Sequence, residues 1–155
     1  MMIKISDEII EQTLKEARST DRKRAMHLFH NKEDILQRMI NAMMHGTYVQ
    51  PHIHQDPDKL EIFSILRGEV GVLTFDNKGG IEDKVLLRKG GTLVTEIPPR
   101  TWHSLVVLST EAVVYEIIEG LYNPLTHKVF ASWAPPEGSS KVQEYLGSLR
   151  DHFYM

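Results

Sequence analysis

The chain has 155 residues, 41% of them hydrophobic and 25% charged, and 18 Lys and Arg against 21 Asp and Glu give a net charge of −3. That length suffices for one structural domain with its own core, the composition is that of a folded chain, and the charge offers no basic surplus for nucleic acid. Cysteine is absent, which excludes disulfides, thiolate metal sites and Cys nucleophiles and leaves only nitrogen and oxygen to hold a metal.

Residues 1–17 have neither a basic start nor a long apolar run, and no stretch of 18 apolar residues occurs anywhere. No membrane insertion is therefore expected, and a cytoplasmic location is the simplest expectation. Ser6 and Asp7 are placed to cap a short helix in which Ile9, Ile10, Leu14 and Ala17 recur at helical spacing. Residues 18–34 are polar and locally basic without a clean period, and read as a connecting segment that completes an N-terminal part, 1–34.

From 35 to 138 short apolar and β-branched runs alternate with Gly, Pro and Asn turn signals, the texture of an all-β barrel. The expected strands are 38–43, 47–54, 61–67, 70–75, 84–88, 92–97, 101–108 and 112–119, with a hairpin loop at 76–80 where Asp, Asn and Gly tolerate positive φ. Ile35, Leu36, Met39, Ile40 and Met43 also fit a helix, and the strand reading follows from their neighbours. Val142, Tyr145, Leu146 and Leu149 mark an amphipathic helix within 139–155. The expected fold class is mainly β, one barrel with short helices at both ends.

The chemistry concentrates on His52 and His54. In a strand, alternate side chains share a face, so two imidazoles two residues apart form a chelate. Tyr48 and Gln50 have the same phase and are expected to line the same cavity. Glu61 opens a strand with Phe63 and Ile65 behind it, and His103 follows the Pro98-Pro99 turn on a strand with Leu105 and Val107. Three imidazoles and one carboxylate suit one divalent ion, with Zn, Fe, Mn, Ni and Co all open, and leave coordination positions free. Ligand imidazoles must be neutral, so protons compete for them below a free pKa of about 6.5. His27, His45, His127 and His152 read as ordinary isolated histidines.

These residues resemble the cupin superfamily, whose first motif runs Gly, five residues, His-X-His, three or four residues, Glu, six residues, Gly. Gly46, His52, His54, Glu61 and Gly68 meet it except that six residues separate His54 from Glu61, which leaves Asp58 as a rival oxygen ligand. The second motif is traced by Gly91, Pro98, Arg100 and His103, with Arg100 at the place of the motif's turn glycine and Val107 at that of its final Asn. The resemblance implies a double-stranded β-helix, or jelly roll, and a homodimer by analogy alone.

More narrowly, the chain resembles WbuC-type cupin metalloproteins of bacterial surface-polysaccharide (O-antigen) gene clusters over about residues 22–138. The likeness rests on Arg24 with His27 and His30, Gln37-Arg38-Met39, Thr47-Tyr48-Val49, Pro51-His52, Trp102-His103, Glu116, Gly120 with Tyr122, Trp133-Ala134-Pro135 and Glu137-Gly138. It implies a sugar or nucleotide-sugar type ligand, with Glu116, Tyr48 and His30 as candidate proton carriers. Arg24, Arg38 and Arg100 are candidates to grip a phosphate or carboxylate. Gln50, Tyr122, Trp102 and Trp133 complete the expected ligand contacts, the two Trp by stacking on a sugar face. A metal-dependent carbohydrate-modifying enzyme, an iron-dependent dioxygenase and a non-catalytic small-molecule sensor all stay open at this point.

Overall fold

The computed structural model describes residues 1–154. Helix α1 (Asp7–Arg18) begins where the Ser6 hydroxyl accepts the Ile9 N–H at 3.4 Å. Asp7 and Glu8 in its first turn and Lys15 and Arg18 in its last complement the helix dipole. Ten strands follow: β1 (Arg24–Leu28), β2 (Leu36–Met44), β3 (His52–Ile53), β4 (Glu61–Arg67), β5 (Val70–Phe75), β6 (Ile81–Leu87), β7 (Val94–Ile97), β8 (Trp102–Val107), β9 (Glu111–Glu119) and β10 (Val129–Phe130). Helix α2 (Val142–Asp151) follows β10, and among the described residues no helix is long and apolar enough to cross a membrane.

The strands form two five-stranded antiparallel sheets, β1-β2-β9-β4-β7 and β10-β3-β8-β5-β6. Alternation along each strand sends side chains to two opposite faces. Between the sheets Met43, Phe63, Ile65 and Val114 meet Val70, Val72, Leu105 and Val107. On the outer face of the first sheet, Ile40, Ala42 and Val113 are covered by Ile10, Leu14 and Ala17 of α1. On the outer face of the second, Leu73, Phe75 and Val106 are covered by Val142, Leu146 and Leu149 of α2. The two terminal helices thus close the outer faces, and the inner core is left to support whatever lies between the sheets.

Several expected boundaries shift. The connecting segment 18–34 contains β1, paired with β2 from Arg24↔Met43 to Leu28↔Met39. As an edge strand it is largely exposed, so no apolar alternation betrayed it. Residues 36–44 are strand, not helix. The expected strand 47–54 is reduced to His52–Ile53, because Pro51 has no N–H for a ladder and the chain before it is irregular. Strand β10 had no signal in the sequence.

Gly68 turns β4 into β5 at φ +76°, and a Cβ there would lie 2.3 Å from the Glu111 carbonyl oxygen and 2.6 Å from Ser109 Oγ. Gly147 sits inside α2, where an added Cβ would meet nothing within 4 Å. In denaturant unfolding, Gly68→Ala should cost at least about 2 kcal/mol. Gly147→Ala should stabilise by about 0.5–1 kcal/mol. A neutral Gly68→Ala would contradict the tight turn.

Candidate metal centre

The second sheet supplies three imidazoles and the first supplies a carboxylate. His52 lies directly opposite His103 in the β3–β8 register, and His54 is one alternation further on. Glu61, the first residue of β4, pairs with Ile97 and Ile118 and faces the imidazoles across the interior. His52, His54, Glu61 and His103 are 1–4% exposed, and one ligand atom from each falls within 4.8 Å of all the others. That span is close to twice a metal–ligand bond of about 2.1 Å.

The three imidazoles are oriented in the same way. His52 Nδ1 donates to Gln50 O at 2.9 Å, His54 Nδ1 to His127 O at 2.6 Å, and His103 Nδ1 to Thr101 O at 2.8 Å. A carbonyl can only accept, so each Nδ1 carries the proton and each Nε2 is left with a bare lone pair. Two of those lone pairs meet Glu61 Oε2, at 3.0 Å from His54 and 2.7 Å from His103. Acceptors at that separation repel, and His103 Nε2 is a buried atom with no hydrogen-bond partner. A cation at the common point satisfies all four, and backbone carbonyls behind ligand imidazoles are the usual outer support of a metal site. The set fits a divalent ion.

Glu116 of β9 completes the interior. Its burial, together with the hydrogen bond to Glu61 and the Glu61 charge, holds its pKa well above the usual carboxylate range. Burial alone would raise Glu61 too, but its neighbours, the hydrogen bond with Glu116 among them, outweigh it, and its pKa lies well below that range. Glu116 is therefore the weaker acid of the pair. Asn41 of β2, also buried, lies beside Glu116 and tempers that rise. Asn41 could have been noticed as a polar residue in phase with Met39 and Met43.

The other candidate residues are not gathered at this point. Tyr48 is buried in the outer core under α2, and its hydroxyl donates to Pro135 O at 2.7 Å. His30 Nδ1 accepts the Arg38 N–H at 2.9 Å beside the end of β1. Arg24 pairs with Glu137 at 3.1 Å and donates to Tyr48 O. Arg38 pairs with Asp34 at 2.8 Å. Trp102 donates its indole N–H to Asn77 Oδ1 at 3.0 Å, and Trp133 packs on Phe75 and Trp102. The Gln50 side chain donates to Ala131 O at 3.4 Å, while its backbone supports His52. Arg100 bonds Asp56 Oδ1 at 2.6 Å and Asp58 Oδ1 at 2.8 Å, so the Asp58 carboxylate is engaged away from the imidazoles and Glu61 stands in the cluster.

His127, read as an ordinary histidine, instead supports His54 through its carbonyl. Its own ring lies 5.0 Å from those of His54 and Tyr122, and burial first, then the surrounding cationic groups, lowers its pKa to about 3. Lys59 is 2% exposed, lies along Gly120 and donates to Leu121 O at 2.7 Å, which anchors the segment leading to His127. A surface cavity of about 660 Å³ lies elsewhere, between Trp133–Pro136 and Tyr145 of α2.

Comparison with known proteins places the fold. The family described as Domain of unknown function (DUF6016) matches residues 5–87, and no curated protein matches the sequence. Among solved structures, the chain is similar to the capsular polysaccharide assembling protein CapF from Staphylococcus aureus, at 23% identity and a TM-score of 0.59 over 72% of this chain and 32% of CapF. It is similar to Cellulomonas parahominis L-ribose isomerase at 15% identity and a TM-score of 0.60, over 72% and 70%. The cupin domain of Schizosaccharomyces pombe Cnp3 matches at 15% identity and 0.50, over 66% and 70%. The chain spans about a third of the length of CapF. The fold is a cupin jelly roll, with a buried His-Glu cluster suited to a divalent metal.

Burial is the largest cause holding the His52 pKa well below its ordinary value, with the Lys128 charge adding to it. A ligand imidazole must be neutral, so metal affinity falls as pH falls, and the His52 contribution to that fall comes below about 6.5. Equilibrium dialysis against Zn²⁺ should show retention at about pH 7 and loss by about pH 4. Affinity unchanged across that interval would contradict imidazole ligation.

Proposed function

The chain belongs to the DUF6016 family, and from the geometry of its centre we propose that it is a metal-dependent cupin of the WbuC type, acting on a sugar or nucleotide-sugar small molecule in bacterial surface-polysaccharide metabolism. The observation that carries the reading is the shared orientation of His52, His54 and His103, each with Nδ1 spent on a carbonyl and Nε2 turned towards Glu61. The likeness to CapF and to an L-ribose isomerase supports a sugar-related ligand.

His52, His54, Glu61 and His103 would hold the ion, and the ion would supply Lewis-acid polarisation of a carbonyl or hydroxyl oxygen. The chain supplies the rest. Glu116 lies beside Glu61 with its pKa held well above the usual carboxylate range, so it is the group placed to give or take a proton beside the centre. Phe63, Ile65, Val72 and Leu105 fill the barrel behind it and exclude water, which strengthens every charge interaction in the interior.

Elemental analysis of untagged protein, beside a His52→Ala, His54→Ala double variant, tests the reading. About one equivalent of a divalent metal in the parent, lost in a variant that keeps its circular dichroism, is the expected result. Iron would direct the search to oxygen chemistry, zinc or manganese to Lewis-acid chemistry. No metal in the parent after reloading would end the proposal.

A further inference from the structure

The arginines that sequence suggested as anion grips are already paired: Arg24 with Glu137, Arg38 with Asp34, and Arg100 with Asp56 and Asp58. Arg18, Arg22 and Arg67 are paired with Glu111, Glu137 and Glu11. Each such cation has had its charge taken up inside the fold. The lysines near the centre differ. Lys59 is buried and bonded to a backbone carbonyl, whereas Lys128 is exposed and, among the described residues, its side chain forms no ion pair or hydrogen bond.

Register fixes the face on which Lys128 stands. Strand β10 pairs with β3 as Val129↔Ile53 and Phe130↔His52, and Ala131 N–H donates to Pro51 O in continuation. Extending the register one step the other way sets Lys128 opposite His54. Directly opposed residues of an antiparallel pair share a face, so Lys128 and Phe130 lie on the face of His54 and His52. The Phe130 ring, 6.3 Å from that of His52, is in keeping with this.

We infer that Lys128 recognises an anionic oxyacid group, carboxylate or phosphoryl, on the small molecule taken by the centre. The inference rests on the metal reading above and narrows it to acidic ligands, such as a sugar acid or phosphorylated sugar, over neutral sugars. The electrostatics run the same way. The ligand set itself, three neutral imidazoles and one Glu61 carboxylate, does not cancel a divalent cation, and Lys128 adds to the surplus. Phe130 offers an apolar wall on the same face, so an anion held there is desolvated on one side and the pairing strengthened.

The competing role for an exposed lysine on a sheet edge is to block strand pairing between molecules. Cobalt-loaded protein separates the two. Malonate, methylphosphonate and neutral imidazole are titrated in turn while the visible bands of the bound ion are followed, in the parent, Lys128→Met and Lys128→Arg. Lys128→Met should weaken at least one of the two anions at least about fivefold and leave imidazole within about twofold, and Lys128→Arg should retain the anion. The anion more affected tells carboxylate from phosphoryl. Equal weakening of anions and imidazole, or anion affinity unchanged in Lys128→Met, or no response of the parent to either anion, overturns the assignment in favour of an edge lysine. A parent that shows no cobalt bands fails at the metal centre itself, a separate result that removes both readings.

Discussion

Three imidazole Nε2 atoms and a Glu61 oxygen, all acceptors, meet within 4.8 Å in the interior of the barrel. Left to themselves they would turn apart, since each loses hydration on burial and gains no donor. What holds them is the opposite edge of each ring: Nδ1–H bonds to the carbonyls of Gln50, His127 and Thr101. Two of those carbonyls sit two residues before the histidine they support. The third, on His127, is brought back from β9 by Gly120 and the buried Lys59 and then locked by the β10–β3 pairing. The short strand β10 is thus part of the centre although it contributes no ligand.

The same constraint explains how the interior is divided. Along β4 the inward residues run Glu61, Phe63, Ile65, and along β9 they run Glu116, Val114, Ala112. On β2 Asn41 is followed by Met43. Polar groups collect at one end of the barrel and apolar groups at the other. The apolar end gives the folding free energy that offsets burial of the polar end, at about 25 cal/mol per Å² removed from water. It also keeps the local dielectric low. That is why the pKa values of Glu61 and Glu116, side by side, are driven in opposite directions.

The parts of this arrangement set by short-range pattern were legible in the sequence. Strands β4 and β5 coincide with the expected 61–67 and 70–75, because each is a short run rich in apolar and β-branched residues that ends at a glycine or an Asp-Asn turn. The His-X-His chelate and the distant His103 were legible for the same reason. Tyr48 was assigned to the cavity by carrying the strand phase back from His52, and the irregular chain before Pro51 breaks that phase, so the ring falls in the outer core. The arginines and tryptophans were misplaced because their partners, Glu137, Asp34 and Asn77, are fixed only by tertiary packing. Strand β10, two residues long and exposed, has too little sequence to signal anything.

The two departures from the cupin motifs belong together. Arg100 stands where the superfamily has glycine, and it adopts the backbone that glycine would favour, φ +58°, at a cost of about 1–2 kcal/mol. Its N–H donates to His54 O at 3.1 Å, so the turn cannot relax without moving a ligand. The longer loop between His54 and Glu61 contains Asp56 and Asp58, and both carboxylates bond the Arg100 guanidinium. Extra residues in one motif therefore supply the contacts that hold a strained residue in the other. A glycine at 100 would relieve the strain but leave the longer loop untied beside His54. An ordinary-length loop would leave the arginine with no reason to be there. Each departure makes sense only in the presence of the other, and both act on the backbone of the same imidazole.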